Sequence, residues 1–275
     1  MQGAIQRRWL SLLVMAFLLV GWQLLNPSPV KKRQNIPKAP EEAIEPLKRA
    51  YAAWKQGHYE QAIQIAKAIY ERYGEVYAVW WPTWARRIYG QLPDPEDVES
   101  VAERGLYLVL RGTTPGQILG FACYEAGRYE EAIAWGKAIG SWGIRWLAEQ
   151  GMKRKGKVVV MPPKHTWRPL PLRFREEDYF ILVPLDQACE VLGIPFRYKV
   201  NPKTGKRTGA QIGEKGLISL MGRPFARNIK GEIDDMAYAP YEEGGVVWVP
   251  FYWLAKQAGI RWWEVRDGKI YVAPK

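Results

Sequence analysis

Two stretches near the C-terminal end of the chain decide its fold. Val183-Pro-Leu-Asp-Gln-Ala-Cys-Glu-Val-Leu-Gly-Ile-Pro-Phe196 aligns without gaps to Val249-Pro-Phe-Tyr-Trp-Leu-Ala-Lys-Gln-Ala-Gly-Ile-Arg-Trp262, at an offset of 66 residues. The same offset aligns Glu176-Glu177 with Glu242-Glu243. A whole unit is therefore duplicated, and each copy runs from an acidic turn through a short apolar strand into a helix.

Each copy can be interpreted residue by residue. Val-Pro ends the strand, and Pro184 or Pro250 suits the first helical turn, where a missing N–H costs nothing. Gly193 and Gly259 are typical left-handed helix ends. A strand and a hairpin then follow, with turns at Asn201–Gly205 and Asp267-Gly268. The sequence predicts an α+β arrangement of small sheets, each covered by one helix.

The doubled Val-Pro-Leu…Leu-Gly segment resembles the copper amine oxidase N-terminal-like domain, or stalk domain, over residues 155–275. The resemblance implies a domain of secreted and surface proteins of Gram-positive bacteria. It does not imply copper chemistry, because residues 155–275 hold a single histidine and the Thr-x-x-Asn-Tyr motif of the oxidase is missing. We expect no enzymatic activity, no cofactor and no metal site.

A second duplication lies upstream. Residues 57–69 align without gaps to residues 127–139, at an offset of 70, about twice a period near 34. A degenerate middle unit is predicted over residues 76–110. The Gly-x-Tyr-x-x-Ala pattern resembles the tetratricopeptide repeat over residues 43–150, which implies helical hairpins that bind a protein or peptide in a concave groove. A helical spacer without a ligand is the alternative.

The amino-terminal segment, residues 1–30, is predicted to target the chain to a membrane. Arg7 and Arg8 precede an apolar run of 17 residues, Trp9–Leu25, and no small-x-small cleavage signature follows. An uncleaved signal anchor is preferred, and a cleaved signal peptide with secretion is the alternative. Basic residues flank the run on both sides, so charge alone leaves the orientation open. Residues 31–42 form a Pro-rich stem.

Charge is distributed unevenly along the chain. Residues 151–275 carry 22 Lys or Arg against 13 Asp or Glu, whereas residues 41–150 are slightly acidic. The basic part favours an anionic partner such as a wall polymer or glycan. The membrane segment argues against nucleic acid. The candidate ligand-binding residues are Trp248, Tyr252, Trp262, Trp263, Arg197 and Lys199.

The aromatic members of this set have two interpretations. An indole of Trp262 or Trp263 exposed beside Trp248 or Tyr252 could stack on a sugar ring. Burial of both indoles between the sheet and another element is the favoured alternative. Cys123 and Cys189 are predicted to be buried free thiols.

Together these features predict a membrane-anchored, extracytoplasmic binding or scaffold protein of the bacterial cell envelope, single-pass, with most of the chain outside. Its helical repeats would contact a protein and its stalk domain a wall component or surface protein. A structural spacer or assembly subunit is the alternative. A wall-modifying enzyme has less support, because Glu176-Glu177 and Glu242-Glu243 occupy equivalent positions of a duplicated unit, as structural residues do.

Overall fold

A computed structural model describes residues 36–78, 80, 83, 114–153, 163–220 and 225–274. The predicted targeting segment, most of the stem and most of the predicted middle repeat lie outside these residues. Of the helices within them, none combines the length and hydropathy that a membrane span requires. The described part of the chain is α+β, with antiparallel sheets, as the sequence predicts.

Among the described residues, five helices belong to the helical part, and each packs against the next of the five. They are α1 (Glu41–Lys55), α2 (Tyr59–Tyr73), α3 (Pro115–Glu125), α4 (Tyr129–Ala138) and α5 (Trp142–Lys153). The glycine of each duplicated motif makes the turn of a helical hairpin: Gly57 has φ 84° and Gly127 has φ 79°. The amide of Gly57 donates to the Trp54 carbonyl, and that of Gly127 to the Tyr124 carbonyl. The two predicted hairpins are thus confirmed as equivalent.

Helix α2 packs directly against α3, so the two hairpins are in contact with each other. The predicted middle unit lies almost entirely outside the described residues and stays a prediction. A close helix approach occurs at Gly120, because a Cβ there would lie 2.7 Å from Cδ1 of Ile144 on α5. Helix α3 begins with a capping box at Thr114, whose hydroxyl accepts from the Gln117 amide.

The C-terminal part contains two short helices, α6 (Leu185–Leu192) and α7 (Phe251–Gln257), a 3₁₀ turn at Lys164–Thr166, and twelve strands among the described residues. The strands are β1 (Arg168–Leu170), β2 (Arg175–Glu177), β3 (Phe180–Pro184), β4 (Phe196–Val200), β5 (Arg207–Ile212), β6 (Gly216–Ser219), β7 (Phe225–Arg227), β8 (Ile233–Asp235), β9 (Tyr241–Glu243), β10 (Val246–Pro250), β11 (Trp263–Arg266) and β12 (Lys269–Val272).

The duplication builds a sheet with local two-fold symmetry. Strands β2 and β9 begin 66 residues apart, as do β3 and β10. The two hairpins join through an antiparallel β3–β10 pair in which Val183 faces Val249, its own equivalent in the other copy. The prediction of separate small sheets is therefore wrong: the copies share one sheet of order β2-β3-β10-β9. Helices α6 and α7 both pack on its two central strands.

Other local predictions hold with small shifts. Gly193 ends α6 in the left-handed conformation with φ 67°. Pro184 and Pro250 are the N-caps of α6 and α7 rather than their first helical residues. The Asp267-Gly268 turn forms, with both φ values positive.

The prediction that the acidic pairs lie in turns is wrong. Glu176-Glu177 and Glu242-Glu243 lie within β2 and β9, and the turns follow at Asp178-Tyr179 and Gly244-Gly245.

Each copy's second hairpin is extended differently. The β4–β5 hairpin continues into a five-stranded sheet, β4-β5-β6-β7-β8, whereas the β11–β12 hairpin gains β1 at its other edge.

Both cysteines are buried free thiols, as predicted. The helical core also takes in Phe180, Leu182 and Tyr238 of the C-terminal part. The two parts thus share apolar packing across residues 37–275.

Candidate functional site

A buried amide makes one of the contacts between the helical and C-terminal parts. Gln56, directly after α1, is 6% exposed. Its Nε2 donates to the Tyr179 carbonyl at 2.8 Å, and its Oε1 accepts from the Ile181 amide at 3.1 Å. Both partners lie on the β2–β3 hairpin. The side chain thus acts like an extra peptide group against this hairpin and satisfies two backbone groups there.

The turn of this hairpin has a strained backbone and is held by hydrogen bonds to the helical part. Asp178 and Tyr179 have φ values of 46° and 66°, a region where a side chain is disfavoured by about 1–2 kcal/mol. The equivalent turn in the second copy is Gly244-Gly245. The Asp178 carboxylate accepts from the backbone N–H and hydroxyl of Thr83, at 2.5 and 2.9 Å. The hydroxyl of Tyr179 donates to Glu45 on α1 at 2.8 Å. Side-chain contacts with the helical part replace the glycine pair here.

A histidine forms the second contact between the two parts. His58 packs its ring 4.6 Å from that of Trp263 and lies 3.2 Å from the Trp263 carbonyl through Nε2. A carbonyl can only accept, so Nε2 carries the proton in this bond. Burial lowers the pKa of His58, although the Trp263 carbonyl and Glu264 oppose that shift. The ring is therefore neutral near pH 7.

Between these two contacts lies a cleft of about 800 Å³. Its helical wall is the α1–α2 turn, and its opposite wall is built from β2, its turn and the start of β11. The polar and aromatic side chains that line it include those of Arg49, His58, Tyr59, Gln61, Glu176, Tyr179, Arg261, Trp262 and Trp263. The volume lies inside the range of roughly 300–1,000 Å³ that small-ligand sites occupy.

The charged side chains of the cleft fall into two groups. Lys164 is ion-paired with Glu264, and Glu60 pairs with Arg128 outside the cleft. Within the described residues, Arg49, Arg261 and Glu176 form no such pair.

The two unpaired arginines instead lie over aromatic rings. The Arg49 guanidinium is 5.9 Å from the ring of Tyr179, and that of Arg261 is 5.2 Å from the ring of Trp262. Each leaves its donors available to a ligand. The cleft therefore offers aromatic faces, two arginine forks and, in Glu176, one carboxylate that has no ion pair among the described residues.

Trp262 and Trp263 both line this cleft. Trp263 is 6% exposed and packs edge-on against Phe251, whereas Trp262 is half-buried. One indole of the adjacent pair, that of Trp262 directly before β11, thus stays partly accessible. Trp248 and Tyr252 do not line the cleft, so the predicted stacking partners are wrong. The other six-membered aromatic rings of the lining belong to Tyr59 of the helical part and to Trp167 and Tyr179 of the C-terminal part.

The other four predicted residues lie elsewhere. Trp248 lies under the guanidinium of Arg175 at 4.1 Å, and the hydroxyl of Tyr252 donates to the Asp235 carbonyl at 3.3 Å. Burial raises the pKa of Tyr252, so its hydroxyl stays neutral. Arg197 and Lys199 lie exposed on β4, where Arg197 donates to Gln211. The six residues do not form one site.

The acidic residues beside Trp248 have structural partners. Glu177 accepts from the hydroxyls of Tyr238 and Tyr241, at 2.6 and 2.5 Å, and pairs with Arg175 at 3.0 Å. Arg175 also pairs with Glu243 of the other copy at 2.5 Å. These carboxylates connect the two hairpins of the sheet and are not placed to act on a ligand.

Sequence reasoning missed the helical wall of the cleft. His58 occupies the variable position of the Gly-x-Tyr motif, and Arg128 replaces it in the other hairpin. The available signal was Asp178-Tyr179, which stands where the second copy has two glycines. Within the described residues, no group of three or more His, Cys, Asp or Glu side chains is placed to hold a metal ion.

Compared with known proteins, the chain matches no protein-family model, no curated protein and no solved structure.

Proposed function

We propose that this chain is a binding protein of the bacterial cell envelope, anchored by residues 1–30, which holds an anionic glycan of the wall in the cleft between its helical and C-terminal parts. The observation that carries the proposal is the position of Arg49 on the helical wall over the ring of Tyr179 on the opposite wall, together with that of Arg261 over Trp262 on this second wall. No enzymatic role is proposed. The tetratricopeptide and stalk-domain resemblances remain part of the proposal.

The chemistry of the cleft supports a charged sugar as ligand. The half-buried Trp262 offers an apolar face on which the C–H face of a pyranose ring can pack. A guanidinium can bind a carboxylate through two parallel N–H bonds. Glu176 and Gln61 supply acceptors, and Gln61 also donors, for sugar hydroxyls.

The test is titration calorimetry of the full chain in detergent with a soluble disaccharide–peptide fragment of peptidoglycan. We expect Trp262→Ala and Arg261→Ala each to weaken binding by about tenfold or more. Arg197→Ala is the matched control, because Arg197 is exposed on β4 and away from the cleft. Equal affinities for all three variants would contradict the proposal, as would the absence of heat with the unaltered chain.

The envelope location has its own test. Protease treatment of intact protoplasts should remove a C-terminal tag while a cytosolic control protein survives. Survival of the tag until lysis would contradict the extracytoplasmic assignment.

A structural spacer is the second candidate, and one observation favours it. Gln56, Asp178 and the shared apolar core join the helical and C-terminal parts at several points. Such coupling suits a rigid arm that holds a partner away from the membrane. In that case the helical hairpins contact another protein and the cleft stays empty, so the calorimetry separates the two candidates.

A further inference from the structure

The side of the cleft opposite the helices includes the edge of a strand. Strand β11 is the outer strand of the sheet β1-β12-β11, so one of its edges pairs with β12 and the other pairs with no strand among the described residues. Trp262, Trp263, Glu264 and Val265 all line the cleft. Because neighbouring side chains of a strand point to opposite faces, this unbroken run of lining residues indicates that the open edge of β11 faces the cleft.

The direction of the backbone groups along β11 follows from two hydrogen bonds. The Ala273 amide donates to the Trp262 carbonyl at 3.0 Å, so these two residues form a hydrogen-bonded pair. In an antiparallel ladder such pairs alternate with pairs whose N–H and C=O groups point away from the partner strand. Trp263 and Val265 occupy pairs of this second kind. The bond that the Trp263 carbonyl accepts from His58, which lies outside the sheet, agrees with this alternation.

Val265 presents an open peptide edge to the cleft. Its N–H and carbonyl point away from β12, and neither takes part in a hydrogen bond within the described part of the chain. The residue is 37% exposed. An N–H and a C=O that project side by side from one residue match the C=O and N–H of one residue in an extended peptide. The hydroxyl groups of a sugar offer no such fixed pair, so this edge suits a peptide.

The charge of the cleft favours a peptide that carries a carboxylate. Arg49 and Arg261 both lack an ion pair among the described residues. One sugar carboxylate engages one guanidinium through two parallel N–H bonds, which leaves the other guanidinium for a second carboxylate. Val265 follows Arg261 by four residues, about 13 Å in an extended chain. A short acidic peptide on the edge of β11 is therefore long enough to reach this guanidinium.

From the open edge of β11 and the second unpaired guanidinium, we propose that the cleft binds the peptide branch of the cell-wall glycan as an extended strand, whose backbone pairs with the N–H and carbonyl of Val265. This inference rests on the proposed function, because it concerns the same cleft and the same ligand. It assigns the two parts of the ligand to different groups: the sugar packs on Trp262, and the peptide pairs with Val265. His58 closes the edge at the Trp263 carbonyl, so the pairing is confined to the stretch around Val265.

The test separates the amide of Val265 from its side chain. Val265→Pro removes the N–H, and an edge strand tolerates proline where the N–H faces outward. Val265→Ala shortens the side chain and keeps the N–H, so the ratio of the two affinities isolates the amide. Ile233→Pro is the control for proline itself. Ile233 is 72% exposed on the outer strand β8 and does not line the cleft. Its N–H also points outward, because the neighbouring pair, Asn228 and Glu232, is hydrogen-bonded.

Titration calorimetry of the full chain uses three ligands: the disaccharide–peptide fragment of peptidoglycan, the same disaccharide without peptide, and the free peptide. We expect Val265→Pro to bind the disaccharide–peptide about fivefold or more weakly than Val265→Ala, through the loss of one hydrogen bond, and to bind the disaccharide within about twofold of it. The free peptide should bind more weakly than the fragment. Ile233→Pro should bind all three ligands as the unaltered chain does. Circular dichroism during heating checks that each variant is folded.

A second measurement needs no variant. Deuterium exchange of the Val265 amide, followed by NMR of the chain labelled with ¹⁵N-valine, should slow by about fivefold or more with the disaccharide–peptide, because a hydrogen-bonded amide exchanges only when its bond opens. The disaccharide alone should leave this exchange rate unchanged. An exchange rate that the disaccharide–peptide leaves unchanged would overturn the inference even where the proline variant does not fold.

The remaining outcomes separate this inference from the proposed function. Equal affinities of Val265→Pro and Val265→Ala for the disaccharide–peptide would overturn the inference; if Trp262→Ala still weakens binding, the proposed function stands without it. The same loss with the disaccharide would also overturn it, because the amide would then act on the sugar. A free peptide that binds as tightly as the fragment would assign the edge to a protein segment instead. The absence of heat with all three ligands would contradict both.

Discussion

Replacing Gln56 by alanine should destabilise the folded chain more than any other single change to its polar contacts with the β2–β3 hairpin. The side chain is 6% exposed, and its loss leaves the Tyr179 carbonyl and the Ile181 amide without their partner at 2.8 and 3.1 Å. A buried backbone group that loses its hydrogen bond costs about 1–3 kcal/mol. Alanine has a higher helix propensity than glutamine, but Gln56 is the C-cap residue that follows α1, so this difference offsets little of the lost hydrogen bonding.

The free energy of unfolding should therefore fall by about 3 kcal/mol, the cost of two unpaired groups reduced by some relaxation. For a chain of this size that corresponds to a decrease of about 6–12 °C in the midpoint of thermal unfolding. The assay is circular dichroism of the full chain during heating, with fluorescence as a second probe.

Gln61→Ala is the matched control. This glutamine is exposed near the start of α2, so its replacement should change stability by about 0.5 kcal/mol or less. A Gln56→Ala variant that unfolds within that same margin of the unaltered chain would refute the reasoning. The β2–β3 hairpin would then not depend on this amide.

Three further predictions concern strain, pH and packing. Asp178→Gly should lower the unfolding free energy by about 1 kcal/mol in denaturant titrations, because two hydrogen bonds to a carboxylate outweigh the relief of a positive φ; a more stable variant would reverse that ranking. Because burial lowers the pKa of His58, the unfolded chain binds its proton first as the pH falls below about 6.5, and stability decreases there; His58→Gln should lose less stability than the unaltered chain between pH 7 and 5, and equal losses would contradict this. Gly120→Ala should destabilise by about 1–3 kcal/mol through its clash with Ile144, whereas Gly143→Ala, with open space around it, should stabilise by about 0.5–1 kcal/mol; matching melting temperatures would exclude the close approach.

The elements of the duplicated unit were predictable because their signals are local. Val-Pro ends both β3 and β10, and Gly193 ends α6 where the sequence indicates. The positive-φ turn at Asp267-Gly268 likewise depends on two adjacent residues. Each of these features is decided by the chain within a few residues of itself.

The pairing of elements was not predictable in this way. The β3–β10 pair joins residues 66 apart, and β1 pairs with β12 about a hundred residues later. No local pattern selects such partners. The stacking of α2 directly on α3 depends in the same way on surfaces that are distant in sequence.

The cleft illustrates the same limit for the site. Trp262 and Trp263 could be singled out because two adjacent indoles in a strand are unusual. Arg49 and Tyr59 could not, because ordinary helix residues become cleft residues only when α1 and α2 pack against the C-terminal part. One comparison between the copies pointed there: side chains at Asp178-Tyr179 where the other copy has glycine.

The most direct test of the central claim is hydrogen–deuterium exchange of the full chain with and without the soluble peptidoglycan fragment. A ligand in the cleft should slow amide exchange both in residues 56–61 and in residues 261–265, which lie on opposite walls. The β4–β5 hairpin tip at 201–206 should be unaffected. Protection of that tip alone, or of neither wall, would contradict the cleft as the binding site.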